Sequence, residues 1–148
     1  MITIYCDGSC IGNPGAGGWG AILQYDTGKG ISEKIISGGK KNTTNNQMEL
    51  TAALMALRAI TKPMPINIYS DSQYLQKGMT EWSKKWQKNG FRSHDKKPIK
   101  NQDLWKELLA HPLLEQVSFH WVRGHAGNPN NERVDTIARE QAMLWHKK

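Results

Sequence analysis

Four carboxylates in the 148-residue chain hold positions that a merely solvated acid has little reason to occupy. Ile2-Thr3-Ile4-Tyr5-Cys6-Asp7 and Ile66-Asn67-Ile68-Tyr69-Ser70-Asp71 share the pattern I-x-I-Y-x-D, and each sets an aspartate at the end of an apolar, β-branched run. Such runs read as strands. With a helix between them they form a plausible parallel crossover pair, whose neighbouring strands would lie about 4.8 Å apart. The two carboxylates can then meet at the carboxyl edge of a sheet, where open α/β folds place their sites. Taken singly, each aspartate does no more than begin a turn; the repeated context is what favours a shared role. Glu49 adds weight, because Ala53, Ala56 and Ile60 follow it at helical spacing and put it on an apolar stripe. Asp135 repeats the anomaly ahead of Ala138, Ala142 and Trp145. Unpaired buried charge is costly, and like charges do not gather for stability. Convergence of four acids is explained by a divalent cation, and an all-oxygen donor set suits magnesium, with manganese possible, rather than zinc.

His125 lies in Arg123-Gly124-His125-Ala126-Gly127-Asn128-Pro129, a glycine-flanked loop directly before the helix that carries Asp135. A lone loop histidine is usually an ordinary surface residue, as His94, His111, His120 and His146 are read to be. Beside a cation cluster it becomes a candidate for proton transfer. No Ser-His-Asp or Cys-His arrangement suggests a protein nucleophile.

The formal charge is +7, and its distribution matters more than its size. Lys84, Lys85, Lys88, Arg92, Lys96, Lys97 and Lys100 face only Asp95 between Trp82 and Lys100. A basic run is most often a solvated face. Here Trp82, Trp86 and Phe91 are interleaved with the lysines, and Trp82 and Trp86 share a face at helical spacing. Aromatic anchors under a cationic surface favour an acidic polymer as partner, nucleic acid first.

Composition excludes several classes. Hydrophobic residues are 38% and charged residues 22% of the chain, ordinary for one globular domain with its own core. Cys6 and Cys10 are too few and too close for a disulfide framework and lack zinc-ligand spacing, so a reducing, cytoplasmic setting is expected. The N-terminus has no basic stretch followed by an apolar one, and the apolar run from Ala52 to Ile60 is too short for a bilayer.

The elements that must position these residues are legible in outline. Strands are expected at 2–7, 19–25 and 31–37, with a glycine-rich turn over 12–18 and a hairpin turn at Asp26-Thr27-Gly28-Lys29-Gly30. Thr44-Asn45-Asn46-Gln47 matches a capping box opening a helix to about Ile60, which Pro63 and Pro65 end. A strand follows at 66–70, then a helix that starts after Asp71 and stops near Gly78. The basic segment, a helix near 101–110 and a strand at 116–122 come next. Asn128-Pro129 opens a last helix to about Trp145. A three-strand meander followed by alternating helix and strand implies an α/β domain with a mixed sheet.

At this level of detail the chain resembles a known family. Asp7-Gly8-Ser9, Met48-Glu49-Leu50, Ser70-Asp71-Ser72-Gln73-Tyr74, Gly124-His125-Ala126-Gly127 and Asn131-Glu132-Arg133-Val134-Asp135 look like the ribonuclease HI family, in the family's order and across essentially the whole chain. The basic stretch at 82–100 is similar to the protrusion of bacterial type 1 members. The resemblance implies a ribonuclease H-like fold, a five-stranded mixed sheet flanked by helices, in a single domain over 1–148. It implies endonucleolytic cleavage of the RNA strand of RNA/DNA hybrids, leaving 5′-phosphates, by a monomer with no membrane association. By position, Asp7, Glu49, Asp71 and Asp135 would hold the metals, and His125 would assist proton movement or product release. Cys10, Asn13, Asn45, Asn46 and Gln73 would contact the minor groove, and Thr44 a DNA phosphate. Trp82 and Lys85 would belong to the protrusion that grips the DNA strand. Phe91 stands where relatives often carry tryptophan, and Gln47 where some carry arginine.

Other readings make different demands. A non-catalytic hybrid-binding module would not need all four acids and His125. A DNA-cutting nuclease or transposase would share the acids but not Met48-Glu49-Leu50 or Gly-His-Ala-Gly. A piece of a reverse transcriptase fits less well than a free-standing enzyme running from Met1 to Lys148, with the protrusion serving in place of a separate N-terminal hybrid-binding domain.

Overall fold

The structure is a computed structural model that describes residues 1–93, 95–124 and 128–148. Three antiparallel strands come first: β1 (Ile2–Ile11), β2 (Gly15–Asp26) and β3 (Ile31–Thr43). Helix α1 (Asn45–Arg58) crosses to β4 (Ile66–Ser70), which lies parallel to β1. Helices α2 (Gln73–Lys77) and α3 (Ser83–Asn89) follow, then α4 (Gln102–Leu109), β5 (Val117–Trp121) and α5 (Pro129–His146). The sheet order is β3-β2-β1-β4-β5, with β5 parallel to β4. This is the expected mixed five-stranded sheet. No helix among the described residues is long and apolar enough to cross a membrane.

The internal echo proves to be structural. Ile2 pairs with Ile66, Thr3 with Asn67, Ile4 with Ile68 and Tyr5 with Tyr69, so the two I-x-I-Y-x-D segments lie side by side in step. Asp7 and Asp71 therefore lie at the same level just past the paired stretch, Asp71 directly after β4 and Asp7 within β1, which runs on to Ile11 rather than ending at Asp7 as expected. Helix α1 covers one face of the sheet, burying Leu50, Ala53 and Leu57 against Ile4, Ile66 and Ile68. Helix α5 covers the other face with Val134, Ala138 and Ala142.

Three expectations need correction. The glycine-rich segment is not all turn, because β2 begins at Gly15 and β3 runs on to Thr43. A side chain at Gly18 would collide with the Ala138 carbonyl and the Ala142 amide, so this glycine is there to let α5 lie on the strand. The helix after Asp71 does not stop at Gly78. Gly78 keeps a right-handed helical backbone, and one π-helical turn (Gly78–Trp82) carries α2 into α3. The glycine makes room for the ring of Trp105, which is fully buried against it. The capping box, finally, is only half made. Thr44 Oγ1 accepts from the Gln47 amide at 3.2 Å, but the Gln47 side chain accepts from the Thr43 hydroxyl at 2.6 Å instead of reaching back.

The basic segment rises from this arm. Tyr74 packs on Trp82 and Trp105, and Trp86 on Trp82 and Trp105, with ring centroids 5.0–5.9 Å apart. The tryptophans thus share a face as their spacing predicts, while Lys84, Lys85 and Lys88 point to solvent. Aromatic pairs of this kind stiffen the base of the arm.

Candidate active site

Four elements bring the acids together. Asp7 lies in β1 and is 2% exposed; Asp71 directly follows β4. Glu49 lies in the second turn of α1, buried as its stripe position predicts. The approach of α1 depends on Gly8, where a side chain would overlap the Met48–Glu49 backbone. Oxygens of Asp7, Glu49 and Asp71 lie within 4.8 Å of one another, the one such cluster among the described residues. Asp135, on α5, lines the same cleft of about 390 Å³ from the other side. It also forms an ion pair with Arg139, one turn further along.

The electrostatics are those of buried acids crowded together. Burial first, and the Asp71 carboxylate second, push the Asp7 carboxyl up to about 8. Burial also holds Glu49 well above the carboxylate range, with Asp7 and Asp71 adding to it. The Gly8 amide donates to Asp7 Oδ1 at 2.9 Å, yet Glu49 Oε2 is buried with no hydrogen-bond partner. A buried polar oxygen without a partner is uncommon. Clustered hard oxygen donors with one orphan among them fit a divalent cation of the magnesium class.

The remaining predicted residues fall into distinct groups. Asn45, Asn46 and Gln73 line the acid cleft, with Ser72 and Tyr74. Asn13, Thr44 and Asn46 line an adjoining cavity of about 510 Å³ together with Gln47, Lys100 and Asn101. Asn13 is held there because its side-chain oxygen accepts from the Asn45 amide at 3.0 Å. Cys10 lines neither space; its thiol faces the carbonyls of Gly15 and Thr43 at 3.6 and 3.4 Å. Trp82 and Lys85 stand apart on the arm. His125 lies outside the described residues, but Gly124, directly before it, abuts Asp71, whose Oδ2 would be 3.0 Å from a side chain there.

Sequence reading missed Tyr74, Lys100 and Asn101 as site residues. The Tyr74 hydroxyl accepts from Trp105 Nε1 at 3.0 Å and Asn101 Nδ2 at 3.1 Å, tying the arm to the start of α4. Asn101 has a left-handed backbone (φ 58°), which asparagine tolerates better than most residues. Lys100-Asn101, where the basic run meets a helix start, was the available signal.

Comparison with known proteins agrees with this geometry. The family model described as RNase H matches residues 1–143. A protein named Ribonuclease H from Bradyrhizobium diazoefficiens is 54% identical over 140 residues, covering 95% of this chain and 88% of the relative. One of the same name from Cupriavidus necator is 55% identical over 139 residues, covering 93% and 92%. The crystal structure of a type 1 RNase H with the type 2 active-site motif superposes with a TM-score of 0.85 at 31% identity, covering 97% of this chain and 72% of that one. With its four acids gathered at one cleft beside the paired parallel strands, the chain belongs to the ribonuclease H family of nucleases.

Proposed function

We propose that this chain is a single catalytic domain that cuts the RNA strand of RNA/DNA hybrids with divalent cations, magnesium or manganese, leaving 5′-phosphate ends. The observation that carries the reading is the set of three acidic oxygens within 4.8 Å, with Glu49 Oε2 left unpartnered. Asp7, Glu49, Asp71 and Asp135 would hold two cations, which supply an activated water and charge neutralisation at the leaving 3′-oxygen. The protein's own contribution is placement. Asn45, Asn46 and Gln73 present side-chain amides at the cleft, and amides can pair with the 2′-hydroxyls that mark an RNA strand. Asn13, Thr44, Lys100 and Asn101 would seat a phosphate of the DNA strand in the adjoining cavity. Lys84, Lys85 and Lys88 on α3 add sequence-independent attraction to the backbone. Trp82, 37% exposed at the end of the π turn that leads into α3, offers an edge for stacking. His125 would move the proton released on attack.

The experiment is cleavage of end-labelled RNA/DNA hybrid, RNA duplex and DNA duplex, each with magnesium, manganese or chelator. Only the hybrid should be cut, in its RNA strand and without activity under chelator. Products should be substrates for ligation through a 5′-phosphate. Equal cutting of the DNA duplex would overturn the reading in favour of a DNA nuclease that shares the acid cluster.

A further inference from the structure

An asparagine at the start of a helix ordinarily turns its side chain back to accept from the first-turn amides. Asn101 holds that position on α4 with a left-handed backbone (φ 58°), yet its side chain makes no such bond. Its amide is spent on Tyr74 instead: Asn101 Nδ2 donates to the Tyr74 hydroxyl at 3.1 Å. A tyrosine hydroxyl carries one proton and two acceptor lone pairs. Trp105 Nε1 takes one lone pair at 3.0 Å, and the Lys100 carbonyl lies 3.5 Å away, in reach of the proton. Asn101 takes the other lone pair, so the hydroxyl is fully committed.

The fold's own need is met without Asn101. The buried Trp105 ring requires a partner for its N–H, and the hydroxyl supplies it. What the bond to Asn101 adds is orientation. A carboxamide has two N–H groups and an oxygen. With one N–H fixed on Tyr74, the rest of the group is held beside Asn13, Thr44 and Lys100, which line the same cavity of about 510 Å³. Tyr74 also lines the acid cleft, three residues after Asp71, so one side chain joins the two spaces.

We infer that Tyr74 is a positioning residue for the adjoining cavity: its hydroxyl orients the Asn101 carboxamide to donate to a phosphate of the DNA strand, at a fixed offset from the acids. The inference rests on the reading of that cavity as the phosphate seat. Tyr74 acts through Asn101 and takes no part in the chemistry at the acids.

The test uses RNA/DNA hybrids whose DNA strand carries a single methylphosphonate, a linkage without charge, moved one position at a time. Binding is measured under chelator, so that nothing is cut, for the parent, Tyr74→Phe, Asn101→Gly and the double variant. Glycine at this position keeps the left-handed backbone while removing the amide. A methylphosphonate that replaces a contacted phosphate weakens binding by the parent, and the position whose penalty shrinks in Asn101→Gly marks the seat. Tyr74→Phe should shrink the penalty at that same position and keep the penalties elsewhere. It should bind the unmodified hybrid about three- to tenfold more weakly, the range one net hydrogen bond returns. The double variant should bind as Asn101→Gly does. With magnesium, KM should rise while kcat stays near the parent value. A Tyr74→Phe protein that keeps the full penalty at the seat overturns the inference. So does one that loses the penalties at every position together, the result of a general loss of structure. If Asn101→Gly changes the penalty at no position, the phosphate reading of the cavity fails, and the inference with it.

Discussion

At the residue scale, the acids are held where they repel one another, and the fold carries that cost. Asp7 shows how to separate a functional from a scaffolding role. Its carboxyl titrates near 8 rather than 3.8, so in the metal-free protein the folded state binds this proton more tightly than the unfolded chain does. Stability from this group is full below the unfolded value and is lost as pH rises toward about 8. Asp7→Asn keeps the shape and removes the charge. Under chelator it should match the parent near pH 4 and exceed it by about 1–3 kcal/mol near pH 8. That corresponds to a rise of roughly 2–4 °C in melting temperature for each kcal/mol in a domain of this size. Activity should fall almost completely, and added magnesium should stabilise the parent more than the variant. A turn-capping aspartate would behave oppositely, losing roughly 0.5–2 kcal/mol on substitution. Melting curves across pH, with chelator and with magnesium, decide between them.

At the element scale, the site is assembled by two close approaches and one continuous arm. Gly8 admits the first turns of α1, and Gly18 admits α5, so acids from opposite faces of the sheet reach one edge. The arm runs from the Ser72 cap, which accepts from the Leu75 amide at 3.0 Å, through the π turn into α3. Its base is pinned where Gly78 meets Trp105. Gly78→Ala would drive a methyl group into that ring. Overpacking of this kind should destabilise the protein by about 1–3 kcal/mol, offset in part by the better helix propensity of alanine. Because the acids lie on other elements, turnover at saturating hybrid should change little, while KM should rise as the arm shifts. Denaturant melts followed by tryptophan emission, with steady-state kinetics, test this. A proportionate loss of kcat with unchanged KM would mean that the arm also shapes the cleft.

For the whole molecule, most of the formal charge of +7 is gathered in the segment from Trp82 to Lys100 rather than spread evenly. Lys84, Lys85 and Lys88 are exposed on α3, over tryptophans packed into the base of the arm. Neutralising all three should weaken hybrid binding and leave chemistry at saturation nearly intact. For every phosphate that a lysine no longer neutralises, the slope of log affinity against log salt should become shallower by about 0.9. Affinity measured across a salt series reads this directly. An unchanged slope would make the arm a solvated face, and the hybrid would then be held by the cleft and the phosphate cavity alone.

What the sequence alone determined was whatever depends on short range. The two I-x-I-Y-x-D strands, the Thr44 and Asn128 caps, the stripe position of Glu49 and the basic run are matters of period, capping and local charge, and each is found in the structure. The ordered motifs carried the family as well. Tertiary structure decided what depends on the element lying opposite. Gly18 and Gly78 read as turn and stop signals by their type, yet both serve close packing, because a missing side chain matters most where another element must fit. Trp105 reads as one more aromatic, and only the fold makes it the buried pin of the arm. Lys100 and Asn101 become cavity walls by lying across from the start of α1. The pairing of Asp135 with Arg139 was latent in their spacing. Asp135 itself joins Asp7, Glu49 and Asp71 at one cleft only through the fold, since the strength of a charge interaction depends on distance and burial in three dimensions.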